Sequence, residues 1–265
     1  INKPLAWSMG SLHPATRYNI DKDYGALGHS RRADIVLMDE NLNVQNTWLG
    51  GKLVVENKKI TNLLEEQLNS KRYIYPKKAY NTVNISKKIN YIPNIPKKDS
   101  FVINTIKTEL PGIVTSKEKI KILKKINSWD NILSEHALCH LCVIERHGKN
   151  GDFAHGFLKN FNLKTGAVAS TVGHDAHNII VAGLSETDMK IAVDYLTKIQ
   201  GGIVIVSDGK ILSKLELPIA GLLSDKKATV VAENNKILKE NWIKIGCTLP
   251  YMGFNLLSLS VIPNF

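Results

Sequence analysis

Apolar and polar positions recur along this chain with two periods, and those periods assign most of its elements. In PLAWSMGSLHPATRYNI, Leu5, Met9, Leu12 and Thr16 fall at helical spacing, which predicts a helix ending near Asn19 with a break or kink at Pro14. RRADIVLMD (Arg31 to Asp39) and NTWLGGKLVVENKKI (Asn46 to Ile60) read as short strands with a tight Gly50-Gly51 turn, together a small all-β unit. From Thr61 to about Lys98 the pattern degrades into charge pairs and isolated prolines. This stretch is expected to be an exposed connector without regular structure.

A second body is predicted over residues 100–265. Phe101 to Ile106, Gly112 to Thr115 and Ala137 to Gly148 read as strands, the last ending in a turn. Gly166 to Thr171 and Asn178 to Gly183 are two apolar strands joined by a polar segment. Ser185 caps a predicted helix from about Glu186 to Gln200, with Asp188 at the third helical position suiting a capping box. Gly201 to Leu217 alternates on either side of Asp208-Gly209, the pattern of a hairpin, and Lys226 to Gly246 reads as one long amphipathic helix. Strands and helices in this order predict an α+β fold: a small β unit, then an α+β domain with a mixed sheet and flanking helices.

Composition narrows the class. A chain of 265 residues with 43% apolar content can bury a sizeable core, and no run approaches the ~18 apolar residues of a membrane span. No membrane partner is therefore expected. The sequence starts at Ile1, without methionine and inside an apparent helix, so a fragment of a longer protein is expected. Three cysteines, an odd number in a chain this large, point to a reducing compartment, and the cytoplasm is the expected location. The net charge of +11 would suit nucleic acid, but residues 52–126 alone hold 17 Lys or Arg against 6 Asp or Glu, which supplies the whole excess. Those basic residues come as pairs without the regular aromatic interleaving of a single-strand binder, so a solvated face is expected and nucleic acid is not an expected partner.

Two motifs invite chemistry. Cys139-His140-Leu141-Cys142 offers two thiols at chelating spacing, but a structural zinc needs four ligands and Cys247 stands alone. The zinc nucleobase deaminases pair H-x-E with P-C-x-x-C; here no His is followed two residues on by Glu, and Leu138 precedes Cys139. Strand alternation places the two thiols on opposite faces, as packing residues. The segment GAVASTVGHDAHNIIVAG is harder to dismiss. His174, Asp175, His177 and Asn178 lie between apolar strands, where an unpaired buried polar group costs roughly 1–3 kcal/mol. They need either partners, as in an Asx-type turn held by Asp175 or Asn178, or a chemical role.

Gly25 to Asp39, GALGHSRRADIVLMD, followed by TWLGGKLV, resembles the small β unit of the amidohydrolase superfamily, with Gly28 in place of a proline and His29 in place of a glycine. VIERHG, GFLKNFNLKTGAVASTVGHDAHNIIVAG, Asp188-Met189, QGGIVIVSDGKI, LPIAGLLSD and SLSVIP then occur in the order of the C-terminal domain of the bacterial-type adenine deaminase family. The resemblance implies that residues 1–20 are a remnant of the last barrel helix, 21–60 the small β unit, 61–99 a Lys-rich connector and 100–265 the C-terminal domain. It implies hydrolysis of adenine to hypoxanthine and ammonia by a metal-activated water. The divalent metal (manganese, iron or zinc) would be bound outside this chain, which has no H-x-H pair and no expected metal ligand of its own. Expected partners are adenine, the missing N-terminal barrel and further copies in a homo-oligomer. The family's H-D-x-H-N motif matches at all four polar positions, which makes Asp175 and His174 the expected catalytic residues and His177 and Asn178 the expected substrate-binding ones. Alternation predicts that only one of His174 and His177 faces a ligand. Two other readings stay open: an inactive relic serving as a basic binding module for nucleic acid or an acidic partner, and another amidohydrolase acting on a cyclic amidine or amide.

Overall fold

The computed structural model describes residues 2–70, 73–109, 114–123 and 128–259, and the chain divides into two compact units, Ile1–Ile74 and Tyr75–Phe265. The first unit opens with two short helices, α1 (Lys3–Met9) and α2 (Leu12–Arg17), where a helix broken or kinked at Pro14 was expected. The break falls at Gly10, ahead of Pro14, which sits in the first turn of α2. First-turn N–H groups have no partner inside a helix, so a proline there removes no bond. Strands β1 (Ile35–Met38), β2 (Val44–Leu49), β3 (Lys52–Glu56) and β4 (Lys59–Ile60) follow as an antiparallel sheet in chain order. The β2–β3 turn puts Gly50 and Gly51 at φ 56° and 78°, which fits glycine. The two acids of the ADIVLMD stretch are staples: Asp34 accepts from the Gly50 N–H (2.7 Å) and Arg32 Nε (2.9 Å), and Asp39 from the Asn41 and Asn43 N–H groups. These bonds favour the ionised carboxylates and hold both below the usual range.

The stretch expected to be an unstructured connector has structure of its own. It contains helix α3 (Asn62–Ser70) and, beyond residue 74, a single 3-10 turn at Lys77–Ala79; Val83 and Tyr91 are buried in the second unit's core. Its apolar residues are spaced between Lys87-Lys88 and similar pairs whose ammonium groups stay in water, which lowers the local hydrophobicity without preventing burial.

The second unit is built on strands β5 (Ser100–Thr108), β6 (Thr115–Leu123), β7 (Leu138–Ile144), β8 (Phe153–Lys159), β9 (Ala167–Ser170), β10 (Ile179–Gly183), β11 (Gly202–Ser207) and β12 (Lys210–Glu216). They form one eight-stranded sheet in the order β12-β11-β9-β10-β7-β8-β5-β6. Neighbours are antiparallel except β5 and β8, so the sheet is mixed and the fold is α+β. The strand expected at Gly112 to Thr115 lies largely outside the described residues; β6 begins at Thr115. Among the described residues four helices complete the unit: α4 (Trp129–His136), α5 (Glu186–Ile199), α6 (Ala228–Lys244) and α7 (Tyr251–Phe254).

Period-two alternation gives the sheet two apolar faces. Val168, Ile180, Ala182 and Ile205 meet Leu238 and Trp242 of α6 and Phe254 of α7; Ala169, Ile179, Val181 and Val204 meet Met189, Ala192 and Leu196 of α5. Cys139 packs with the first set and Cys142 with the second, on opposite faces. All three cysteines are free and buried, and burial pushes their thiols up, that of Cys142 to about 12. Ser185 caps α5 by accepting from the Asp188 N–H (3.2 Å), as expected, but the Asp188 carboxylate turns away from the cap and accepts from Gly209 N–H (2.8 Å), tying the hairpin turn to the helix.

Candidate functional site

The turn from Thr171 to Asn178 joins the adjacent strands β9 and β10 and is fastened from outside itself. At its start, Thr171 Oγ1 donates to the Gly221 carbonyl (2.6 Å) and accepts from the Gly202 N–H (2.8 Å). His174 N–H donates to the Asn255 carbonyl and Ser258 Oγ donates to the His174 carbonyl, both at 2.8 Å. Across the turn, His147 Nε2 donates to the Ala176 carbonyl (2.8 Å), and Arg146 Nε donates to the His177 carbonyl.

Arg146 is the anchor of this arrangement. Its side chain is 1% exposed, and the guanidinium also donates to the carbonyls of Thr82 (3.2 Å) and Ala220 (3.0 Å), so it fastens the turn to two segments distant in sequence. Burial lowers its pKa, with the nearby Glu145 charge opposing. Gly221, at φ 70°, lies against this group; a Cβ there would come within 2.9 Å of the guanidinium. Arg146 lies inside the VIERHG stretch but was not singled out by sequence reasoning. Its available signal was a lone cation closing an apolar strand just before the turn glycine Gly148.

The four predicted site residues differ in their surroundings. The Asp175 side chain is 61% exposed, and its Oδ1 lies 3.5 Å from His174 Nδ1. His174 and His177 were expected on opposite faces, but their rings meet edge to face with centroids 5.4 Å apart. The segment is not extended: His177 has φ 51°, and its N–H closes back on the Gly173 carbonyl (2.7 Å), so alternation does not apply. Burial first, then the neighbouring His174 and Arg146, lowers the His177 pKa and favours its neutral ring. Its Nδ1 is shielded from solvent without a hydrogen-bond partner, and so is Asn178 Oδ1. An Asx-type turn held by Asp175 or Asn178 is therefore not what fixes this loop.

The chemical capacity of the turn is an exposed carboxylate beside two imidazoles that meet edge to face, one partly buried, on a base fastened by Arg146. Among the described residues no group of three or more His, Cys, Asp or Glu, those of this turn included, could hold an ion. Among the described residues no helix is long and apolar enough to cross a membrane.

A mixed eight-stranded sheet with helices on both faces and a clamped H-D-x-H-N turn defines a domain class, and comparison with known proteins gives it a family. Residues 112–265 match the family described as the adenine deaminase C-terminal domain, and the chain belongs to that family. Over 260 residues the chain is 56% identical to adenine deaminase 2 of Bradyrhizobium sp. (strain ORS 278) and 55% identical to adenine deaminase of Chelativorans sp. (strain BNC1), in each case covering 98% of this chain and 43% of the relative. Adenine deaminase of Clostridium botulinum (strain ATCC 19397 / Type A) is 31% identical over 270 residues, 99% of this chain and 44% of its own length. The chain thus spans less than half the length of these relatives.

Proposed function

We propose that this chain is the C-terminal part of an adenine deaminase of the amidohydrolase superfamily, which hydrolyses adenine to hypoxanthine and ammonia. The observation that carries the reading is that relatives named adenine deaminase align with 98% of the chain at more than half identity. The same names do not favour the basic binding module. A divalent metal (manganese, iron or zinc) would make the attacking water nucleophilic near neutral pH, held by residues in the length of the relatives that this chain does not match. The expected setting is the cytoplasm, as a homo-oligomer, consistent with three free buried cysteines.

This chain's own contribution is the turn. Asp175, exposed and acceptor-only when ionised, accepts an N–H of the purine or carries a proton toward the departing ammonia, with His174 beside it as its proton partner. His177 and Asn178 supply nearby groups to the ring nitrogens. The test is Asp175→Asn in the longer protein. We expect kcat/KM to fall on the order of 100-fold, about 2.7 kcal/mol, with metal content and Tm retained. Unchanged turnover, or loss only in step with Tm, makes the segment a structural turn. Absence of adenine-dependent ammonia release from the unaltered protein refutes the deaminase reading itself.

A further inference from the structure

Asn255 breaks a packing rule without structural gain. It follows α7, is 1% exposed, and lies between Phe254 (0%) and the Leu256-Leu257 pair, with Phe254 and Leu257 in the cluster around Trp242. Neither Oδ1 nor Nδ2 of its carboxamide has a hydrogen-bond partner. A buried amide left unpaired costs roughly 1–3 kcal/mol, so an apolar residue of similar size would be the stabilising choice here. Groups of this kind call for a reason, and sites where local rules fail without structural gain are characteristically functional.

What Asn255 touches supplies the reason. Its main-chain carbonyl takes the His174 N–H, and three residues on Ser258 Oγ donates to the His174 carbonyl, so one short turn satisfies both main-chain polar groups of the residue beside Asp175. On the far side of the loop His177 Nδ1 and Asn178 Oδ1 are also buried and unpartnered. We infer that Asn255 and Ser258 are positioning residues for the deaminase site proposed above: the 255–258 turn sets the orientation of His174 and Asp175. The Asn255 carboxamide, unpartnered in this structure, completes that hold through a buried water. The inference rests on the proposed function, but half of its test does not.

The test uses Asn255→Leu, Ser258→Ala and Ser258→Thr in the longer protein, with Tm, kcat and KM for adenine, and in parallel the histidine ring signals of the 265-residue chain by NMR. Asn255→Leu is expected to keep or raise Tm while kcat falls about tenfold and KM stays within about twofold, the signature of a misplaced group and not of lost binding. Ser258→Ala should act in the same direction and Ser258→Thr, which keeps the hydroxyl, should restore kcat. The His174 and His177 ring signals should move in Asn255→Leu and Ser258→Ala while that of His29, in the other unit, does not. Unchanged kcat together with unmoved ring signals overturns the inference and leaves Asn255 a tolerated buried amide. If Asn255→Leu fails to fold, the Ser258 pair decides alone. If the unaltered protein lacks deaminase activity, the proposed function has failed and the ring signals alone decide whether the 255–258 turn positions the loop.

Discussion

In the unit that ends at Ile74, Ala15 and Val54 are the only buried apolar residues among those described, whereas the unit that begins at Tyr75 carries three buried clusters on its eight-stranded sheet. The first unit does not lack apolar side chains. Trp7, Met9, Tyr18, Leu27, Val36 and Leu37 are each between 49% and 76% exposed. Its elements are made by local signals, namely Gly50-Gly51, the Asp34 and Asp39 staples and the α1 cap, and among the described residues of its sheet only Val54 is buried. Ordering a backbone costs roughly 1–2 kcal/mol per residue, and two buried side chains return only a few kcal/mol. The difference shows that correct local structure does not by itself supply a buried core.

The largest expected effect follows directly. Residues 75–265 expressed alone should melt in one cooperative transition and show dispersed amide signals, whereas residues 1–74 alone should show neither. A cooperative melt of residues 1–74 would break the comparison, because it would mean that the exposed apolar residues are no burden to that unit.

A smaller effect separates the units by pH. His140 on β7 is 1% exposed, its Nδ1 is unpaired, and it packs against Trp129 (centroids 5.5 Å apart) and Phe157 (5.4 Å). Burial, assisted by His155, drives its pKa down to about 4. The unfolded chain binds a proton near pH 6.5 that the folded chain refuses until about 4, so the neutral ring's stability is complete above 6.5 and is lost as pH falls through this window. The loss is at most roughly 3 kcal/mol. Denaturant midpoints for His140→Phe should vary less between pH 6.5 and 4.5 than those of the unaltered chain. Parallel curves for the two proteins would show that His140 is not the group responsible. The first unit offers no counterpart, since His13 and His29 are both exposed.

How legible each part was in the sequence follows the range of the interactions that fix it. Helix α5 and the β11–β12 hairpin were readable to within a residue or two because a cap, a Gly-containing turn and a regular period all lie in consecutive residues. Strand β6 was hidden by composition: Lys117, Lys119 and Lys121 face water on an edge strand while Ile120 and Ile122 face the core, an alternation masked by the surrounding lysines. Helix α4 is only eight residues long, and strand β8, FAHGFLK, lacks a clean alternation of buried and exposed positions, so neither stood out. At the candidate site the four polar residues were visible as an anomaly, but the arrangement holding them was not. Arg146 reaches Thr82 and Ala220, 64 and 74 residues away, and His174 is held by Asn255 and Ser258, so no local pattern could announce the clamp.

The smallest expected effect compares two caps that look alike. Asn2 Oδ1 accepts from the Leu5 N–H (2.9 Å) at the start of α1, and Ser185 Oγ accepts from the Asp188 N–H (3.2 Å) at the start of α5. Removing such a cap typically costs about 1 kcal/mol. That loss appears in global stability only if the helix unfolds with the rest. Helix α5 buries Met189, Ala192, Val193 and Leu196 against the sheet, so Ser185→Ala should cost the chain about 1 kcal/mol. Helix α1 has seven residues and none buried, too few to be stable without packing, so Asn2→Ala should change global stability by less than about 0.3 kcal/mol. The longer protein sharpens the contrast: if another surface covers α1 there, Asn2→Ala should become as damaging as Ser185→Ala. Chemical denaturation of both variants in both contexts decides it. An Asn2→Ala effect of about 1 kcal/mol in the 265-residue chain would mean that the first unit already folds cooperatively on its own terms, and the contrast between the two units would fail.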